Sequence, residues 1–127
     1  MAKKEPVAVP ALPAPAIPLS RAVRVGDLVF LSGTGGRNPQ TNQFGDTADQ
    51  VRCALEIIRT VLEAAGTSLD NVVSVTAYLK NREDFQVYNE VYRSFFPKDP
   101  PARTTVQAEL VNPEMRVEIT CVAAMQS

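Results

Sequence analysis

Apolar positions along this chain change period several times, and each change marks an element. Ala22-Val-Arg-Val25, the Gly26-Asp27 turn and Leu28-Val-Phe-Leu31 predict a β-hairpin with a two-residue loop. The pattern then becomes helical. Val51, Ala54, Leu55, Ile58, Val61, Leu62 and Ala65 form one stripe, with a capping box from Thr47 to Gln50 ahead of it and Gly66 behind it as the C′ residue. Val72-Val-Ser-Val-Thr-Ala-Tyr-Leu79 reads as a strand. A second helix, capped by Asn81, carries the stripe Phe85, Tyr88, Val91, Tyr92 and Phe95 and stops before Pro97. Two alternating runs follow, one from Pro101 and one from Val117.

The connection between those last runs, around Asn112-Pro113-Glu114, is short and turn-like, so they are expected to pair as an antiparallel hairpin. Thr104, Val106, Ala108 and Leu110 share one face of the first run, opposite Arg103, Thr105, Gln107 and Glu109. Val117, Ile119, Cys121 and Ala123 share a face of the second, opposite Glu118. Arg103 and Glu118 are then expected on the same face, either as an ion pair on a wet surface or as two parts of a site. The element order is β-β-α-β-α-β-β, an α+β layout with two helices packed on one face of a mixed sheet. Leu28–Leu31 and Val72–Leu79 are apolar on both faces, so the second face must also leave water, and self-association is the simplest way to do it.

Residues 1–16 form a Pro/Ala-rich segment expected to be extended, and residues 17–127 a single domain. Lys3 and Lys4 precede an apolar stretch as in a signal peptide, but its prolines would break the helix a signal requires. Thirteen basic and fourteen acidic side chains give a net charge of −1 without a long run of either sign, which points away from nucleic-acid and membrane partners. Cys53 and Cys121 lack metal or redox spacing and read as small core residues in a reducing compartment, so a cytoplasmic location is expected. The absence of histidine excludes a His-based triad and the common zinc sites. No apolar run reaches the ~20 residues of a membrane helix.

Ser32-Gly-Thr-Gly-Gly-Arg37 is rich in backbone freedom and would let a ligand approach main-chain N–H groups, but it is no phosphate loop, because it lacks GK[ST] and no helix follows directly. On its own it is also compatible with a plain flexible turn.

Four stretches together resemble the RidA/YjgF family of reactive-intermediate deaminases: Ala22–Gly33, Leu62–Val72, Asp84–Tyr92, and Pro101–Val106 with Val117–Ile119. The resemblance spans about residues 17–124. It implies a chorismate-mutase-like fold and a homotrimer with clefts between subunits. It further implies cofactor-free hydrolysis of 2-imino or enamine acids to 2-oxo acids and ammonia. Carried over by position, Arg103 holds the substrate carboxylate, while Glu118 positions or deprotonates water and returns a proton to the leaving ammonia. Ser32 and Gly33 contact the bound acid, Thr105 stands where many members have cysteine, and Asn89 lies near the cleft. Leu19 occupies a position where many members have tyrosine, so a hydroxyl over the substrate is missing. The loop to Arg37, Thr104-Thr105 and the Leu110–Arg116 turn also resemble the 2-aminomuconate deaminase branch, in which Arg37 would contact a second carboxylate.

Three functions follow as expectations: a general imine/enamine deaminase, an aminomuconate-type deaminase, or a non-catalytic small-acid-binding, holdase-like trimer. The ribonuclease role sometimes attached to this family finds neither a histidine nor a basic stripe here.

Overall fold

In the computed structural model, residues 3–126 are described; Met1, Ala2 and Ser127, at the ends of the expected segment and domain, lie outside the described residues. Helix α1 spans Thr47–Ala64 and α2 spans Phe85–Phe95, the latter preceded by a 3₁₀ turn at Arg82–Asp84. The strands are β1 Glu5–Pro6, β2 Ala22–Val25, β3 Leu28–Leu31, β4 Thr34–Gly35, β5 Val72–Leu79, β6 Ala102–Gln107 and β7 Val117–Ala124. The expected order is present, with the two-residue strands β1 and β4 added.

The α1 cap sits one residue earlier than its sequence pattern indicated. The Asp46 carboxylate accepts from the Asp49 N–H at 2.9 Å, and Asp49 accepts from the Asp46 N–H at 3.3 Å. Thr47 turns instead to Asp84, donating at 3.0 Å. Gln50, 1% exposed, donates to the Gly45 and Glu114 carbonyls and accepts from the Arg116 N–H, tying α1 to the turn before β7. At the other end, Gly66 has φ +91°. The N–H groups of Gly66 and Thr67 close back on the Glu63 and Leu62 carbonyls, a Schellman ending. Asn81, by contrast, makes no side-chain cap, because the 3₁₀ turn separates it from α2.

In the sheet the strands lie in the order β1-β2-β3-β7-β5-β6, with β4 also on β7. This corrects the expected hairpin: β6 and β7 are not neighbours, because β5 lies between them. β5 pairs with β6 in parallel and with β7 antiparallel. The strand–helix–strand unit β5-α2-β6 accounts for the parallel pair, since a crossover helix is the usual way to join two parallel strands.

One sheet face carries Val29, Leu31, Val75, Ala77, Leu79, Val117, Ile119, Cys121 and Ala123, all buried in a single core with the α1 stripe and with Tyr88 and Tyr92 of α2. Val7, Val9 and Leu12 also pack on that core. The other face is left open, with Leu28, Phe30 and Val106 each about 40% exposed. No helix among the described residues is long and apolar enough to cross a membrane.

Candidate functional site

Register decides which face each candidate occupies. Arg103 pairs with Val75 and Thr105 with Ala77, so both lie on the helix-covered face, at the β6 edge. Glu118 pairs with Tyr78, and its neighbours Val117 and Ile119 are the buried residues, so Glu118 lies on the open face. The expectation that Arg103 and Glu118 share a face of one chain is therefore wrong. The cause is the inserted β5, which supplies the partners of both strands and leaves the two side chains at odd and even positions along it. A cross-strand ion pair between them is excluded by the same register.

The Arg103 guanidinium rests on α2. It donates to Asn89 Oδ1 at 2.5 Å, and its central carbon lies 5.7, 5.3 and 4.9 Å from the ring centroids of Phe85, Tyr88 and Tyr92. These distances fall in the cation–π range. The two tyrosines meet each other at 5.4 Å in a tilted pair. Burial raises the Tyr88 phenol above its ordinary pKa of 10; Arg103 and Thr105 beside it pull the other way. Burial also raises Tyr92, reinforced by Tyr88 and opposed by Arg103. Both buried hydroxyls lack a partner in hydrogen-bond geometry. Sequence reasoning took these rings only as core. Their signal was present in the i, i+3, i+7 spacing, but nothing in the pattern says that a cation lies over them.

The second group forms around the loop after β3. Ser32 is held by its own backbone and side chain: its N–H donates to the Arg21 carbonyl at 3.0 Å and its hydroxyl to the Ser20 carbonyl at 2.7 Å. Gly33 lies against Glu118, where an added Cβ would overlap Oε2. A groove of about 430 Å³ brings Ser32, Gly33, Leu19, Arg37, Phe44 and Met115 together. In it, Arg37 lies 4.5 Å over the Phe44 ring and donates to the Asn42 carbonyl at 3.1 Å. The apolar strap from Leu12 to Leu19 forms one wall.

The candidates thus fall into two separate groups. Arg103, Asn89 and Thr105 offer a cation on the helix side of the β6 edge; Ser32, Gly33, Arg37 and Glu118 offer a carboxylate and a polar loop around the groove and open face. Among the described residues no group of three or more His, Cys, Asp or Glu side chains is placed to hold a metal ion.

The family described as Endoribonuclease L-PSP matches residues 10–125. A RutC family protein of Pyrococcus horikoshii is 40% identical over 113 residues, covering 87% of this chain and 90% of its own. A 2-iminobutanoate/2-iminopropanoate deaminase of Dermatophagoides farinae is 35% identical over 128 residues, 99% of this chain and 100% of its own. Among solved structures, RidA from an Antarctic Psychrobacter is 32% identical with a TM-score of 0.89, covering 95% of this chain and 99% of that one.

Proposed function

Because the chain belongs to the Endoribonuclease L-PSP family, that of the RidA/YjgF proteins, we propose that it hydrolyses reactive 2-imino and enamine acids to 2-oxo acids and ammonia. The reaction needs no cofactor and takes place in clefts between the subunits of a homotrimer. One observation carries the reading: the cation and the carboxylate such a reaction needs lie on opposite faces of one sheet. A second copy is then required to bring them together. Arg103, Asn89 and Thr105 of one subunit face Ser32, Gly33 and Glu118 of its neighbour, and the open apolar face supplies the surface for assembly.

In this cleft Arg103 takes the substrate carboxylate, a planar fork suited to two parallel hydrogen bonds. Glu118 accepts a proton from water as the oxygen bonds to C2, and that proton passes to nitrogen to give a carbinolamine. On collapse, the hydroxyl proton follows to nitrogen, the C2–N bond breaks and ammonia leaves. Imine plus water thus balances 2-oxo acid plus ammonia. Two free thiols fit a reducing cytoplasm.

The test is release of ammonia and 2-oxo acid from freshly generated 2-iminobutanoate or 2-aminoacrylate. Wild type should accelerate it clearly, and Arg103→Ala should abolish the acceleration with the oligomer intact. No acceleration over spontaneous hydrolysis refutes the reading. A dicarboxylate enamine of the aminomuconate type is the second reading, favoured by Arg37 lying in the same groove as Ser32 and Gly33. Under it, Arg37→Ala costs dicarboxylate turnover far more than monocarboxylate turnover.

A further inference from the structure

Phe85, Tyr88, Asn89 and Tyr92 stand at i, i+3, i+4 and i+7 on α2, and all four meet the one guanidinium of Arg103. Two of the four are costly choices for packing alone. Tyr88 is 0% and Tyr92 4% exposed, and each buries a hydroxyl that finds no partner. Phenylalanine would fill the same space without stranding a polar atom. At Tyr88 the hydroxyl has neighbours of a particular kind: Arg103 and Thr105, two residues apart on one face of β6, both stand beside it.

We infer that Tyr88 is a positioning residue for the carboxylate anchor. Its ring carries the Arg103 guanidinium, and its hydroxyl, together with Thr105, sets the direction in which the fork opens. Asn89 occupies one N–H, which leaves the remaining donors of the fork for an incoming carboxylate. Such a hydroxyl is kept at the expense of the fold because it narrows the orientations of the fork before substrate arrives. The kinetic side of this inference rests on the deaminase reading; the binding side needs only an acid that occupies the cleft.

The experiment compares wild type, Tyr88→Phe, Thr105→Val and the double variant, all as full chains. Affinity for 2-oxobutanoate and for its uncharged amide is measured by calorimetry, and kcat and KM with 2-iminobutanoate. Tyr88→Phe should raise Kd and KM together by roughly three- to tenfold, with kcat within about twofold. Its amide affinity should be unchanged and its melting midpoint equal to wild type or higher. Thr105→Val should do the same, and the double variant should be no worse than either single one, because the two act on the same guanidinium. Unchanged Kd and KM in Tyr88→Phe overturn the inference, as does a lowered melting midpoint with equal losses for acid and amide. Wild type that binds no 2-oxobutanoate overturns it too. Wild type that binds the acid but releases no ammonia refutes the deaminase reading alone, and the Kd comparison still decides the role of Tyr88.

Discussion

Two glycines three residues apart should respond in opposite ways to the same added methyl. At Gly33 the methyl would meet the end of the flexible Glu118 side chain, which can swing aside. Gly33→Ala is therefore expected to displace the carboxylate, cutting deaminase activity at least about tenfold while the melting midpoint moves by only about 2 °C. At buried Gly36 the methyl would meet the Gln50 backbone inside α1, which cannot swing. Gly36→Ala should cost about 1–3 kcal/mol in urea unfolding. Nothing in Ser32-Gly-Thr-Gly-Gly-Arg37 separates these two positions, since both are glycines in a polar loop. What tells them apart is the neighbour across space. The tyrosines of α2 were obscured for the same reason: a helical stripe announces burial, not the guanidinium over it. Arg103, Glu118, Ser32 and Gly33 stood out in the sequence through resemblance, which carries positions but not faces.

Among the elements, the helices and long strands followed from periodicity because their burial is local. Strand pairing did not. The short turn at Asn112 argued for a hairpin, but the β5-α2-β6 unit favoured a parallel pair, and β7 was left to pair on the far side of β5. The strand–helix–strand order was already visible in the sequence and was the better guide. The seam between α2 and the sheet also sets the response to alkali. Burial pushes the Cys121 thiol from its ordinary 9.0 up to about 12, and raises Tyr88 and Tyr92 as well. Each of these groups holds its proton more tightly folded than unfolded. Their contribution is then complete below the unfolded thiol value of 9.0 and lost as pH climbs towards 12. Unfolding free energy should accordingly hold level from neutral pH to about 9 and fall beyond it. Cys121→Ala should start lower, for its lost packing, but fall less steeply; an identical slope in chemical denaturation across pH 8–11 would contradict this assignment.

For the whole molecule, the decisive fact is that Arg103 and Glu118 lie on opposite faces of one sheet. If the cleft is composite, Arg103→Ala and Glu118→Gln are each inactive alone but rescue one another. In trimers assembled at random from equal amounts, a cleft works only where an intact arginine meets an intact glutamate, so about a quarter of wild-type activity should return. Mixtures assembled from the unfolded chains and assayed for 2-oxo acid release check this; zero recovery would mean that both groups act from one chain. The apolar run of Leu28–Leu31 leaves Leu28 and Phe30 exposed on the open face, the surface that such an assembly would cover.

That open face has a further consequence for how much protein is enough. On the composite reading a newly made chain, folded but alone, is catalytically silent, whatever the quality of its helices and its cation cradle. Output then rises more steeply than in proportion to the amount of chain until assembly saturates. Low expression yields almost nothing, and a modest increase switches on every cleft together, so the dose of the chain itself behaves as a threshold.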